Sequence, residues 1–241
     1  GVTGALVDDK VAGRLFITRR ERDGFVDVVT GAGPRTQTDD NDQNYWSARA
    51  QVLVKPTEDL SINFSADYTK RDENCCLAEQ VLNGGVTKIM AVAFPGSVAN
   101  PANFDGYKAY ANRSTSKKIT DKGVSAEVEY DLGSLQLTSI SAYREFETHS
   151  AAESDLSTAD IIWSSPSWTG TAFKTFSQEL RLTGSSEKLN WTVGSFFTKE
   201  DLTSKVSTLY GADFEKFVGL LLSSGTNGAL VSQLKIGRAH V

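Results

Sequence analysis

The stretch "LSINFSADYTKRDENCC", Leu60 to Cys76, decides the fold class because it alternates between two kinds of side chain. Apolar or aromatic residues stand at every second position, and polar residues fill the positions between them; the first set is Leu60, Ile62, Phe64, Ala66 and Tyr68. Successive side chains of a β-strand point to opposite faces of a sheet. The pattern therefore predicts a strand with one apolar and one polar face, which ends at an acidic cluster and two adjacent cysteines.

The same period of two recurs along the chain. It is found in Val11–Arg20, Tyr45–Val54, Lys122–Leu132, Leu135–Thr148, Phe176–Thr183 and Leu189–Thr198. Together with the first stretch, these predict about seven strands. Within Leu135–Thr148 the alternation changes phase between Leu137 and Ile140, and a β-bulge would account for that change.

The connections between these stretches differ sharply in length. Three are tight and polar, as hairpin turns are: Pro56–Asp59, Asp131–Ser134 and Gly184–Lys188. They alternate with three long connections, which are roughly Asp23–Asn44, Glu73–Asp121 and Ser150–Ala172. This order predicts an up-and-down antiparallel sheet with long loops on one rim and short turns on the other, as in outer-membrane barrels.

Strand length separates a membrane barrel from a soluble β-sandwich. A sandwich strand also has one apolar face, but it runs for about 5–6 residues. Several strands here run nearer to 10, the length that a tilted strand needs to cross a bilayer. Aromatic residues also lie near the predicted strand ends, where membrane barrels concentrate them: Tyr45, Trp46, Tyr68, Tyr130, Tyr143, Phe176, Trp191 and Phe197. The sequence thus favours a partial transmembrane barrel.

Composition excludes several other classes. The 241-residue chain carries a net charge of −5 and has no concentrated basic patch, so nucleic acid is not an expected partner. It has no apolar run of about 18 residues that would form a transmembrane helix. It begins without Met and without a signal segment, as a cytosolic protein or a mature or truncated piece would.

The sequence shows no catalytic or metal-binding motif. Its two histidines, His149 and His240, are too few for a histidine-based metal cluster, and we expect neither enzyme activity nor a cofactor. The acidic run Asp39–Asp42 lacks the ligand spacing of a calcium loop and is interpreted as a solvated rim. Two alternatives stay open: a soluble carbohydrate-binding β-domain, and a barrel enzyme that uses His149 with a carboxylate or a serine.

Four segments resemble the barrel of TonB-dependent outer-membrane receptors, particularly the type abundant in sphingomonad-like bacteria. They are "DDKVAGRLFITRRERDGFVDVVTG", "YWSARAQVLVKPTEDLSINFSADYTKRDENCC", "KGVSAEVEYDLGSLQLTSISAYRE" and "FSQELRLTGSSEKLNWTVGSFFTKED". The resemblance covers nearly all of Val2 to Tyr210 and implies a barrel of about twenty-two strands. It also implies that residues 1–235 are a fragment of that barrel, without the plug domain and the last strands.

What the resemblance implies for function is energised uptake at the outer membrane of a Gram-negative bacterium. Receptors of this type bind a scarce nutrient, often a ferric siderophore or another large solute, and break no bond in it. The implied partners are outer-membrane lipid, the nutrient, and the TonB complex acting through a plug that has no match in this sequence.

The connection after the first quoted strand is the expected ligand-binding loop. Cys75 and Cys76 would stand at its start, outside the cytoplasm, where disulfides form. Adjacent Cα atoms lie about 3.8 Å apart, below the usual range for a disulfide. A bond between the two cysteines, bonds to other cysteines, and free thiols therefore stay open. Aromatic residues of the long connections are the candidate ligand contacts: Phe104, Tyr107, Tyr110, Trp163 and Trp168.

Two segments near the end depart from the strand pattern. Ala212–Ser223 has apolar residues at helical spacing and predicts a short helix on the loop rim. The last six residues, "IGRAHV" (Ile236–Val241), match one reading frame of a sequencing-adaptor DNA. We expect residues 236–241 to be a non-native tail without fold or function.

Overall fold

The computed structural model describes residues 1–100 and 106–223. Its strands in chain order are β1 (Val2–Val7), β2 (Val11–Arg22), β3 (Val26–Thr30), β4 (Asp39–Asp40), β5 (Gln43–Val54), β6 (Leu60–Asn74), β7 (Lys108–Ala111), β8 (Ser116–Asp131), β9 (Leu135–Ser150), β10 (Ala152–Glu153), β11 (Ile162–Ser164), β12 (Gly170–Ser185), β13 (Asn190–Lys205) and β14 (Leu209–Tyr210). Helix α1 covers Gly85–Ala93 and helix α2 covers Phe214–Ser223.

One large sheet dominates the fold. Its eight strands follow the order β1-β2-β5-β6-β8-β9-β12-β13, and every neighbouring pair is antiparallel. Strands that neighbour each other in this sheet are consecutive in the chain, apart from the short strands inserted between them. The fold is therefore a partial up-and-down antiparallel β-barrel, as the alternating sequence predicts.

The sheet differs from the prediction at two points. It has eight strands where the alternation predicted about seven, because β1, "VTGALV", pairs with β2 without showing a period of two. No bulge accounts for the change of phase between Leu137 and Ile140, since β9 pairs with β8 and β12 in unbroken register there. Ile140 simply lies on the polar face, opposite Glu127 and Glu179.

Pairing register gives the large sheet two chemically distinct faces. The apolar face carries the apolar members of the alternation, including Leu15, Phe64, Val124 and Leu180, which are all exposed in this chain. The polar face carries the charged and hydroxylated members between them. On the apolar face, Ser141 donates to Gln178, and Gln178 donates to the hydroxyl of Ser139 at 3.0 Å. These hydrogen bonds satisfy Ser139 and Ser141, which the change of phase in β9 places on the apolar face.

The long connections form a second body, which we call the loop cap: residues 23–42, 75–115, 151–169 and 206–223, without 101–105. Nearly all buried apolar side chains of the described residues lie in it: Val26, Val28, Leu77, Met90, Ala93, Ala99, Ala109, Ala111, Ala151, Ala159, Ile161 and Phe217. The hydrophobic core of this chain therefore lies in the loop cap and not between layers of the large sheet.

The helices partly follow the sequence prediction. Helix α2 lies within the predicted segment Ala212–Ser223. The fold has a second short helix, α1, in the connection between β6 and β7. No helix within residues 1–100 and 106–223 is long and apolar enough to cross a membrane. Residues 236–241 lie outside the described residues.

Candidate ligand-binding site: the loop cap and the polar face below it

Backbone pairing joins the segments of the loop cap two by two, and a hydrogen bond from the N–H of Thr158 to the carbonyl of Ser97, at 2.8 Å, links the second segment to the third. Strand β3 of the first segment pairs with β4 of the same segment and, in parallel, with β7 of the second. Strand β11 of the third segment pairs with β10 and with β14 of the fourth. Because parallel pairing between distant segments fixes their relative position, the cap is a folded unit and not a set of independent loops.

Two apolar clusters fill the cap. The first joins the first and second segments through Val26, Val28, Leu77, Ala109 and Ala111. The second packs the two helices on the third segment, through Met90, Ala159, Ile161 and Phe217. Lys216 of α2 also donates to the carbonyl of Ala93 at 2.8 Å and lies 4.6 Å from the ring centre of Phe94. The buried apolar contacts and the interactions of the Lys216 ammonium group together hold α2 against α1.

A buried ion pair joins the first two segments. Arg35 donates to the carboxylate of Asp40 at 2.8 Å, and their side chains are 2% and 0% exposed. Asp40 also accepts the backbone N–H of Leu77 at 3.1 Å and the hydroxyl of Thr115. Arg35 donates in addition to the carbonyls of Gln37, Asp39 and Arg113. Such a pair is tolerated in a dry site because every charged group has several partners.

The interpretation of Asp39–Asp42 as a solvated rim is therefore wrong for Asp40. Its neighbour Asp42 is also engaged, since it accepts the backbone N–H of Asn74 at 2.6 Å. No local sequence pattern marks Asp40 as buried, because its partners Leu77 and Thr115 come from the second segment and Arg35 stands five positions before it in an irregular loop. Within the described residues, no three His, Cys, Asp or Glu side chains are arranged to hold a metal ion.

A second charged junction ties the last three segments together. Arg113 makes two hydrogen bonds to Asp160, at 2.8 and 2.7 Å, and its guanidinium lies 4.3 Å from the ring centre of Trp163. Asp160 also accepts the backbone N–H of Ala212 at 3.0 Å. The paired guanidinium, together with these hydrogen bonds, holds the pKa of Asp160 below its usual value, although partial burial opposes the shift.

Two neighbouring carboxyl groups are buried beside this junction. Glu153 accepts the backbone N–H groups of Asn112 and Arg113, at 3.2 and 2.9 Å. Burial, reinforced by the adjacent charge of Asp155, raises the pKa of Glu153 to about 8. Burial also raises the pKa of Asp155, against the hydrogen bonds it accepts from Ser157 and Ile162. Near neutral pH, Glu153 is therefore mainly protonated.

The four candidate ligand residues that the structure describes lie at separate places. Tyr107 is 60% exposed and its ring meets that of Phe25 edge-on at 6.2 Å. Tyr110 pairs with Val29 in the β3–β7 ladder, and Trp163 lies under Arg113. Trp168 is 66% exposed and lines a separate cleft with Glu147, His149 and Lys205. Phe104 lies outside the described residues, and the role of all five in ligand binding stays a prediction.

His149 lies in that same cleft, with an acceptor at each ring nitrogen. Its Nε2 is 2.9 Å from the carboxylate of Glu147 and its Nδ1 is 3.2 Å from the carbonyl of Pro166. With both nitrogens engaged in this way, neither is placed to take a proton from a serine. The contact with Glu147 supplies the carboxylate that the barrel-enzyme alternative names, and whether the chain has enzyme activity stays a prediction.

The cysteine pair follows the end of β6. In the structure Cys75 and Cys76 are joined by a disulfide, and the backbone N–H of Cys75 donates to the carbonyl of Thr115 at 3.0 Å. The pair thus stands where the wall of the barrel passes into the loop cap. The next residue, Leu77, is already part of the buried cluster.

Below the cap, an ion-pair cluster crosses the polar face of the large sheet. Arg144 of β9 donates to both oxygens of Asp67 on β6, at 3.0 and 3.1 Å, and also to Asp121 on β8. Between these strands lies Gly123, where a Cβ atom would come 3.1 Å from the guanidinium. The bare glycine leaves room for the arginine to bridge three strands.

These features define a class of fold: a partial up-and-down β-barrel whose long connections form a folded cap at one end. Among solved structures, the ferric yersiniabactin uptake receptor FyuA from Yersinia pestis is similar, with a TM-score of 0.63 and 14% sequence identity. The match covers 87% of this chain and 29% of the receptor chain, so this chain spans less than a third of that receptor's length. No protein-family model and no curated protein matches the sequence.

Proposed function

We propose that this chain forms part of the wall and the outer loops of a TonB-dependent receptor in the outer membrane of a Gram-negative bacterium. The receptor takes up a scarce nutrient, a ferric siderophore or a similar large solute, and acts without enzyme chemistry or a cofactor. Its energy comes from the TonB complex through a plug domain. The fold likeness to a ferric siderophore receptor supports this proposal.

The observation that carries the proposal is the two-faced sheet joined to the cap. Side chains such as Phe64 and Val124 are 49% and 56% exposed on the apolar face, a poor arrangement in water. The same face suits contact with lipid, and the charged opposite face suits a water-filled lumen. All three long connections between strands of the sheet lie at one rim, where a solute from outside would first meet the protein.

Uptake by cells with and without the complete gene tests the proposal. We expect cells that carry the gene to accumulate a ferric siderophore under iron limitation, and we expect this accumulation to stop when the TonB complex is inactivated. Equal accumulation with and without the gene, for every iron chelate offered, would argue against it. Recovery of the complete protein from the soluble fraction would favour the carbohydrate-binding alternative.

A further inference from the structure

An uneven distribution of charge on the polar face points to the class of solute. On the polar side of β2, β5 and β6 lie five arginines, Arg14, Arg20, Arg22, Arg49 and Arg71. The pairing register places them on one face: Arg20, Tyr45 and Arg71 stand side by side, and Arg14 lies beside Gln51. The same side of these strands carries only two carboxylates, Asp67 and Glu73.

Neither carboxylate forms an ion pair with these arginines, although Asp67 stands opposite Arg49 in the β5–β6 register. Asp67 is held by Arg144 at 3.0 Å, and Glu73 accepts the backbone N–H of Asn44 at 3.3 Å. Within the part of the chain that the structure describes, no ion pair joins any of the five arginines to an acid. The region therefore keeps a positive surplus.

The contacts that these arginines do make leave most of their N–H groups available to a solute. Arg22 donates to the carbonyl of Asn41 at 2.8 Å and so belongs to the joint between wall and cap. Arg49 has one hydrogen bond, from its Nε to the hydroxyl of Ser65 at 3.3 Å. Arg71 lies 5.0 Å from the ring centre of Tyr45, which orients a guanidinium without satisfying its N–H groups. We call Arg14, Arg20, Arg49 and Arg71 the arginine wall.

The other acids of the polar face lie outside the three strands of the arginine wall. Asp121 of β8 and Glu200 of β13 stand at the level of the wall, but Asp121 accepts from Arg144 and Glu200 accepts from Thr175 at 2.8 Å. Glu127 and Glu129 of β8 and Glu179 of β12 lie nearer to the short turns than any member of the arginine wall. From Ser65, which shares its row with Arg14, to Arg71 the chain rises six residues, or about 20 Å along the strand. Along β2, β5 and β6, a solute that enters from the cap thus reaches the arginine wall before it reaches the level of these three glutamates.

We propose that the arginine wall binds a small polyanionic solute through its carboxylate groups; this inference rests on the proposed function, which makes this face a lumen. The planar fork of a guanidinium matches a carboxylate with two parallel hydrogen bonds. Several guanidiniums without ion pairs on one face also raise the local concentration of an anion. The nutrient is accordingly a negatively charged iron chelate and not an uncharged one.

The test compares two probes on the complete receptor in detergent: ferric citrate, a carboxylate chelate, and an uncharged ferric trihydroxamate. We expect Arg49→Gln and Arg71→Gln each to weaken ferric citrate binding by about tenfold, because each removes a charge-assisted pair. Raised salt should weaken that binding in the wild type. Arg19→Gln is the matched control, since Arg19 adjoins Arg20 but lies on the apolar face, paired with Glu21 at 2.9 Å.

Three outcomes would overturn the inference: unchanged ferric citrate binding by both wall variants, an equal loss in Arg19→Gln, or no measurable ferric citrate binding by the wild type. Uptake of the uncharged chelate alone would contradict the inference while the proposed function stands. Because Arg49 is exposed and Arg71 half-buried on the sheet surface, we expect both variants to fold, and their thermal unfolding checks this.

Discussion

Arg144 and Asp67 lie on strands that are not neighbours, yet the guanidinium reaches across Gly123 of the intervening strand to both carboxylate oxygens, at 3.0 and 3.1 Å. Asp121 completes the cluster from the same intervening strand. The arginine therefore fixes three strands of the wall relative to one another by a contact that no backbone ladder provides. It also neutralises two carboxylates that would otherwise repel each other.

Loss of this arginine should weaken the wall. We expect Arg144→Ala to lower the free energy of unfolding by about 1 kcal/mol, a modest value because the side chain is 43% exposed and solvent screens the pair. Guanidinium chloride unfolding of the complete receptor measures it. Arg181→Ala is the control: Arg181 has the same exposure but meets one carboxylate, Glu179, at 3.4 Å. Equal losses in the two variants would contradict a bridging role for Arg144.

The buried pair of the loop cap should matter more. Asp40→Asn leaves the Arg35 guanidinium without its counter-charge in a site that excludes water, so we expect a loss of about 3–5 kcal/mol in local cap stability. Faster amide hydrogen exchange at Leu77, whose N–H donates to Asp40, would report it. Asp39→Asn is the matched control: the Asp39 side chain accepts a hydrogen bond from Gln37 at 2.7 Å and takes no part in the Arg35–Asp40 pair, so this variant should leave the exchange at Leu77 unchanged.

Cap stability should fall as the pH rises. The pKa of Glu153 is raised to about 8 in the folded chain, from an ordinary value near 4.5, so between these two values the folded state binds more protons than the unfolded state. The contribution of Glu153 to cap stability is then greatest below about pH 4.5, and it decreases until the pH passes about 8.

Glu153→Gln tests this dependence, because glutamine keeps the size of the side chain and removes its titration. We expect limited proteolysis of the cap to accelerate between pH 6 and pH 8.5 in the wild type (values chosen around the pKa of about 8) and much less in Glu153→Gln. Glu58→Gln, in the exposed turn at the other rim, should behave as the wild type. A wild-type cap whose proteolysis does not change with pH would contradict the assignment.

The cysteine pair makes a simple chemical prediction. If Cys75 and Cys76 are bonded to each other, the peptide that contains them should resist alkylation without reductant and gain two alkyl groups after reduction. Mass spectrometry of the unreduced complete protein reads this directly. Full alkylation without reductant, or a peptide linked to a third cysteine, would show that the adjacent bond is absent.

The wall of the barrel was predictable from the sequence, and the cap was not. Strands such as β6 alternate from Leu60 to Tyr68 because each face meets a different environment there, so the pattern is local. The first strand escaped prediction since "VTGALV" does not alternate, and its place is set by pairing with β2. In β9, the alternation changes phase because Ser139 and Ser141 lie on the apolar face. The sequence of β9 alone cannot show that Gln178 of β12 supplies hydrogen-bond partners for these two serines.

The cap is built from contacts between distant segments. Its strands run for two to five residues, too short to show a period, and β3 pairs with β7 about eighty positions further along the chain. The burial of Asp40 depends on Arg35, Leu77 and Thr115, which no local pattern connects to it. The aromatic candidates for ligand binding were chosen because they lie in long connections. The arginine wall was not predicted, although the polar positions of β2, β5 and β6 contain an excess of arginine that could have indicated it.

The central claim is that the apolar face meets lipid and the polar face meets water, and Phe64 and Asn63 test it most directly. These neighbours on β6 point to opposite faces. In a Cys75→Ser, Cys76→Ser background of the complete protein in membranes, we expect Asn63→Cys to react with a water-soluble maleimide. Phe64→Cys should react only with a lipid-soluble one. Equal reaction of both cysteines with the water-soluble reagent would contradict the claim.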